Sequence, residues 1–260
     1  CNLHLFAWYN KIMISAVVLT KNSEKTIDAL LSDLSFADER IVIDDESTDR
    51  TVDKAKKKEA KVFSRALVND FAAQRNFGLI QAKGEWILFV DSDERVNTKL
   101  QDEILHAIKD TAKNGFYLKR TDTLFGKTLR YGETANVTLL RLGRRGTGEW
   151  ERSVHEVWNI AGEVGVLETP LLHTPHPTVK EFISSTNRYT TLNAKYFHEH
   201  GVKTNIFEII FFPLGKFIQN YIFRLGFLDG TQGAILAILM SFHSFLTRSK
   251  LWLLQANSEK

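Results

Sequence analysis

Two aspartates one residue apart, Asp91-Ser92-Asp93, follow directly on the apolar run Trp86-Ile87-Leu88-Phe89-Val90. On an extended segment, side chains two apart point the same way. Both carboxylates then reach one hard divalent cation, Mg2+ or Mn2+, directly or through water, and such an ion keeps positions open for phosphate oxygens. The same residues also read as an acidic loop with Asp93 capping the next helix. Thr20-Lys21-Asn22 and Asp44-Asp45 close two earlier apolar runs. A carboxylate there can accept hydrogen bonds from a ribose hydroxyl or a base N–H. Ser47 and Asp49, just beyond, also suit helix caps. Gln74-Arg75-Asn76-Phe77-Gly78 offers Arg75 to a phosphate and Gly78 as a point of close helix approach, or is only a helix face. Ser153-Val154-His155-Glu156 sets Glu156 beside a histidine in a loop-rich stretch, as a general base or an exposed pair.

The elements that must hold these groups follow from hydrophobic patterning. Segments 14–19, 40–43, 61–63 and 86–90 read as strands. Helices fall between them. The first has Ser23 as its cap and Ile27, Leu30, Leu31 and Leu34 on one face. The second runs through Lys58, the third covers 71–82 and is closed by Gly84, and a fourth covers 97–109. Strands this apolar, separated by helices, imply an α/β fold: a mostly parallel sheet covered on both faces, with right-handed crossovers. Ligands of such sheets bind beyond the carboxyl ends of the strands, where Thr20, Asp44 and Asp91 stand. Further on, strands are expected at 115–118 and 137–140 among loops holding Gly126, Gly132, Gly143, Gly146 and Gly148. From Thr178 the pattern is helical, at 189–200, 206–225 and 234–254, with a break at Asp229-Gly230.

Composition narrows the class. The chain has 260 residues, 43% hydrophobic and 25% charged, with a single cysteine, Cys1. Collagen, low-complexity disorder, a disulfide scaffold and a cysteine metal site are excluded, and a reducing compartment fits. The length allows one large domain, or one domain with an appendage. The net charge of +3 is uneven: from Thr178 on there are nine Lys/Arg against five Asp/Glu, and the rest is close to neutral. No basic stripe interleaves with aromatics, so nucleic acid is not an expected partner. The run from Lys54 to Lys61 is a solvated helix face. The apolar tail is interrupted by Glu208, Pro213, Gln219, Arg224, Asp229 and His243, which leaves its uninterrupted stretches short of the ~20 residues of a spanning helix. Two readings stand: helices lying on a membrane surface, or a helical pair packed on the domain or on a second copy. His173 and His176 have ligand-like spacing, but Pro175 and Pro177 argue against a helix, and a structural or acceptor-side role is expected. Residues 1–12 are read as an extension outside the native chain, with Met13 as the expected start.

Taken in order, Val17-Val18-Leu19-Thr20-Lys21-Asn22, Ile43-Asp44-Asp45-Glu46-Ser47-Thr48-Asp49, Gln74-Arg75-Asn76-Phe77-Gly78 and Asp91-Ser92-Asp93-Glu94 resemble family 2 glycosyltransferases of the GT-A fold. Ser153-Val154-His155-Glu156, Leu171-Leu172-His173, Asn187-Arg188-Tyr189 and Gly226-Phe227-Leu228-Asp229-Gly230 resemble the bacterial lipopolysaccharide core glucosyltransferase group. The resemblance spans 13–254. It implies a GT-A domain over 13–177 and a helical extension over 178–260. It implies that Thr20, Asn22 and Asp44 line the nucleoside, with Asp45 nearby and Arg75 toward the ribose or phosphates. Asp91 and Asp93 would hold the nucleotide-sugar diphosphate through Mg2+ or Mn2+, and Glu156 would be the general base, with Glu94 and Asp122 in reserve. The implied reaction is inverting transfer of a hexose from a nucleotide-sugar, a UDP-sugar first, to a glycan or lipid-linked acceptor at the inner face of the cytoplasmic membrane. One departure is that the acidic residue usual straight after the Asn comes one later, at Glu24, with Ser23 between. A sugar nucleotidyltransferase is disfavoured because 17–26 lacks the glycines of a phosphate loop. Transfer to polyprenyl phosphate, and a nucleotide-sugar binding protein without turnover, remain as alternatives.

Overall fold

The computed structural model describes residues 12–135, 137–153, 156–175 and 178–258. Its first half alternates strand and helix: β1 (Ile14–Thr20), α1 (Ile27–Asp33), β2 (Glu39–Asp44), α2 (Thr51–Lys57), β3 (Lys61–Ser64), α3 (Phe71–Gln81) and β4 (Trp86–Asp91). β3, β2, β1 and β4 lie side by side in that order, all parallel. Because the sheet is covered on both faces, 86–90 is buried without alternation. Alternate residues of β1 serve two cores. Ile14, Ala16 and Val18 meet Leu30 and Leu31 of α1, while Val17 meets Ala72 of α3. A Cβ on Gly78 would lie 2.6 Å from Val17 Cγ1, so α3 does pass close to the sheet there.

The second half adds β5 (Glu94–Arg95), α4 (Thr98–Ala107), β6 (Lys113–Leu124), β7 (Lys127–Thr128), β8 (Val137–Arg144), β9 (Gly148–Glu151), β10 (Val157–Ile160) and β11 (Glu163–His173). Here the sheet turns mixed. β8 enters antiparallel to β4, β6 is antiparallel to β8, and β11 is parallel to β6. β5 pairs antiparallel with the end of β11, and β7 folds back on β6. The β9–β10 hairpin brings Trp150 and Trp158 onto the second core. The expected strands at 115–118 and 137–140 fall in the first halves of longer ones, and β9, β10 and β11 occupy ground expected to be loop.

Two helix-end expectations are corrected. α1 begins after Thr26, not Ser23, whose carbonyl accepts from Thr26 N and Ile27 N at 3.0 Å. The Ser23 hydroxyl is instead drawn across the sheet to Ser92 Oγ, at 2.8 Å. α3 ends at an extended Ala82, and Gly84 serves packing: a Cβ there would sit 2.6 Å from Ser15 N.

The tail is α5 (Val179–Glu199), α6 (Ile206–Ile218) and α7 (Gly230–Ser258). Thr178 and Glu181 form a capping box that starts α5 earlier than patterning suggests. After α6 the chain widens into one π turn over 219–223, and Gly230, at φ +64°, makes the break before α7. Leu236 and Leu239 of α7 and Phe182 of α5 share a cluster with Leu124 and Leu129, so the tail is packed onto the sheet domain.

Candidate active site

The carboxyl ends of β1, β2 and β4 converge, and their loops cross-link. Asn22, held at φ +49°, accepts from Thr48 N at 2.8 Å and donates its own N–H to Ser47 Oγ at 2.8 Å. Asp44 is buried and accepts from Ser47 N at 2.8 Å and Ser47 Oγ at 2.6 Å. Asp45 accepts from Lys21 Nζ and from Leu67 N, both at 2.8 Å. Asp49 binds Thr51 and the backbone of Glu24. Buried Thr20 Oγ1 has no hydrogen-bond partner among the described residues. Four of the residues expected around a nucleoside, Thr20, Asn22, Asp44 and Asp45, are therefore adjacent.

Arg75 is the hub of the deeper part. It projects from α3, is 2% exposed, and stacks its guanidinium 4.7 Å from the Trp150 ring centroid. Its Nε donates to Glu156 Oε1 at 2.8 Å, and its Nη2 donates to Asp91 Oδ1 at 3.0 Å. Asn76, next on α3, exchanges two 2.8 Å bonds with the Trp150 backbone, and Phe71 N donates to Ser153 O. These bonds hold the β9 side of the Glu156 loop against α3. Val154 and His155 of that motif lie outside the described residues.

Asp91 has protein partners of its own, apart from those of Asp93. It ends β4, Ser92 and Asp93 form a turn, and side-chain alternation stops there. Asp91 accepts from Arg75 and, at 2.6 Å, from Arg141 Nη2. Burial opposes its charge, yet the two guanidiniums hold its carboxyl well below the usual carboxylate range. Burial opposes the charge of Arg141 as well, but Asp91, Glu94 and Glu156 together raise it above the usual guanidinium range. Helix capping, the other reading of Asp93, falls to Asn97, which accepts from Leu100 N at 2.9 Å.

Asp93 instead faces a histidine. β5 sets Glu94 opposite His173, and β6 sets Asp122 opposite it on the other side. His173 Nδ1 lies 2.9 Å from Asp122 Oδ1, and its Nε2 lies 3.5 Å from Asp93 Oδ2. Burial disfavours its charge, but the bonds to Asp122 and Asp93 push the imidazole up to about 9. Thr174 N donates to Asp93 O at 3.0 Å, fixing the turn.

The two reserve bases are engaged in structure. Glu94 is fully buried and accepts from Asp91 N at 2.8 Å. Burial, helped by repulsion from Asp91, outweighs the pull of Arg141 and His173 and pushes it up to about 7. Asp122 is buried between His173 and Arg120, whose hydrogen bonds outweigh burial and lower its carboxyl. Sequence patterning missed Arg141 and underrated His173, and it gave Tyr189 no task. Tyr189, on α5, stacks on Phe71 and feels the charges of Asp91, Glu156 and Asp93; burial comes first among the causes raising its hydroxyl. Beside His173 and Asp122 opens a cavity of about 330 Å³, reached by Arg120, Glu133, Thr134 and Phe182.

For a divalent metal, the fit test is the donor chemistry. Asp93, its side chain 38% exposed, and His173 Nε2 form a carboxylate–imidazole pair braced by Asp122, and a cation there would have to displace the proton that the two carboxylates hold on the ring. Among the described residues no group of three or more His, Cys, Asp or Glu could hold a metal, so a cation at this pair would need its remaining ligands from outside the protein.

Residues 15–156 match the family model described as glycosyl transferase family 2. The lipopolysaccharide core biosynthesis glycosyltransferase LpsC of Rhizobium meliloti is 29% identical over 253 residues, 93% of this chain and 93% of its own length. A glycosyltransferase of Rickettsia conorii is 26% identical over 254 residues, 92% of this chain and 89% of its own. A crystal structure of S. aureus TarS aligns over 94% of this chain and 92% of that one, with a TM-score of 0.48 and 18% identity.

Proposed function

Because the chain belongs to glycosyl transferase family 2, we propose that its strand-end cluster moves a hexose from a UDP-sugar to a hydroxyl of a growing cell-envelope glycan of the lipopolysaccharide-core kind, with inversion at the anomeric carbon. The observation that carries this reading is the Arg75 hub: one buried guanidinium joins Asp91 at the end of β4 to Glu156 on the opposite loop. The likeness to LpsC over nearly the whole chain supports the acceptor class.

In this reading Thr20, Asn22, Asp44 and Asp45 wall the nucleoside, and the unpartnered Thr20 hydroxyl is free to bind it. Arg75 and Arg141 supply fixed positive charge near the diphosphate, while Asp91 keeps both oriented. Asp93 and His173 are the side chains that would hold Mg2+ or Mn2+. When bound, that ion supplies charge against the departing diphosphate. As the sugar–phosphate bond breaks, the anomeric carbon gains oxocarbenium character. Glu156 takes the acceptor hydroxyl's proton, and the hydroxyl oxygen closes on the face opposite the leaving group. Arg75 sets the Glu156 carboxylate for that transfer.

Glu156→Gln tests the base. Donor binding, read as thermal stabilisation by UDP-hexose with Mn2+, is expected to persist while transfer falls ~100-fold or more. Loss of donor binding in place of turnover would remove Glu156 from that role.

A further inference from the structure

The helical extension wears its polarity inside out. α6 holds two charged residues, and both turn inward: Glu208 meets Arg248 of α7 at 3.6 Å, and Lys216 meets Glu133 at 2.8 Å. Its large apolar side chains turn outward. Phe207, Phe211, Leu214 and Ile218 recur along one helix face, Phe207 at 68% exposure, and Pro213 is the buried residue of α6. The turn that follows continues the face with exposed Ile222, Phe223, Leu225, Phe227 and Leu228. The segment Ile206–Phe223 has a mean hydropathy of 1.3 and is 6% buried, and by length and composition it could cross a membrane. A helix on a water-facing surface shows the reverse arrangement, and an apolar patch this continuous marks a contact.

The charges around the patch say what kind. Lys127 Nζ donates to Asp229 O, Arg130 N donates to Asp229 Oδ2, and Lys216 and Arg224 share Glu133. Four bases thus border the turn against two acids. A second copy docked by two-fold symmetry would bring these bases onto one another. Lipid phosphates would be matched by the exposed Arg130 and Arg224 at the rim.

We propose that α6 and the 219–229 turn dock the enzyme on an anionic bilayer surface, with the phenylalanines at the boundary between headgroups and acyl chains. The fold then sets the acceptor end against the lipid. Glu133, which ties Lys216 and Arg224, also lines the cavity beside His173. That last step, a membrane-borne acceptor entering the cavity, rests on the function proposed above; the lipid contact does not.

Flotation of the full chain with phosphatidylethanolamine/phosphatidylglycerol vesicles, against phosphatidylcholine alone, reads the contact. The chain is expected to float with the anionic vesicles and about tenfold more weakly with the neutral ones. The Phe207→Ser, Phe211→Ser, Phe223→Ser triple variant is expected to lose binding by about tenfold or more, since each ring removes buried apolar area. These rings are exposed, so the variant's melting temperature and UDP-sugar binding should stay those of the native chain. Absence of flotation, or equal flotation of the triple variant, overturns the proposal. So does a dimer in light scattering that the triple variant abolishes while vesicles bind neither form. Flotation without sugar transfer would instead count against the functional reading.

Discussion

Arg141 shows how much a single side chain carries here. It is 5% exposed, meets Asp91 at 2.6 Å, and has Glu94 at 3.8 Å. Removing one partner of a buried ion pair strands the other. Arg141→Met should cost about 3 kcal/mol in urea denaturation, because Asp91 then leans on Arg75 alone and Glu94 loses its nearby cation. A loss under half a kilocalorie would show the cluster tolerant of Arg141's absence. Arg141 could not be singled out from the chain, since its partner is 50 residues away and a lone arginine in a strand leaves no local pattern. Asp91, Asp93, Arg75 and Glu156 were legible because each belongs to a short motif, three of them at an element's end and Arg75 within α3. What the motif could not say is how they divide: Asp91 goes to the arginines and Asp93 to His173, since the chain turns between them.

At the scale of elements, Glu39 is the knot beneath the sheet. It accepts from Ser15 Oγ of β1, Lys61 Nζ of β3, and the Lys83 N–H between α3 and β4. Burial opposes its charge, and the bonds from Lys61, Ser15 and Lys83 outweigh it, so its carboxyl lies below the ordinary 4.5. A depressed folded-state value means stability that is full above the unfolded value and lost as pH falls through the folded one. Glu39→Gln should therefore cost about 2 kcal/mol at neutral pH, and its gap to the native chain should close below pH ~4. Thermal melts across that range measure it, and a gap constant with pH would rule the linkage out. The parallel strands were readable because β1, β4 and the 41–43 core of β2 are buried on both sides and so nearly wholly apolar. β11 was not, since Val164, Val166 and Leu172 alternate outward and its pairing shifts between Leu167 and Leu171. Ser23 looked like a cap because caps are local, yet its hydroxyl partner, Ser92, comes from another strand end.

Across the whole molecule, Glu133 adds an ionic tie between the sheet and the helical tail to the apolar cluster of Leu124, Leu129, Phe182, Leu236 and Leu239. Lys216 and Arg224 reach Glu133 from α6 and the following turn, at 2.8 and 3.3 Å. All three side chains are partly exposed, so Glu133→Gln should cost only about 1 kcal/mol. The loss should be local, speeding amide exchange in α6 about fivefold while β1–β4 stay protected. Uniform acceleration across both parts would mean the tail is held otherwise. That the tail is apolar and basic could be read from composition, but not which way its helices face. That is decided by Arg248 and Glu133, residues that draw Glu208 and Lys216 inward from elsewhere in the chain. The tryptophans divide along the same line. Trp150 and Trp158 stack at 5.2 Å beneath the Arg75 hub, while Trp252 stands 45% exposed on α7. Stacked indoles share their excited states, and a lone exposed indole reports the polarity around it. Among the described residues, the Trp150–Trp158 pair thus offers an exciton couplet tied to Arg75, and Trp252 adds to the emission, beside buried Trp86, a contribution sensitive to the surroundings of the tail.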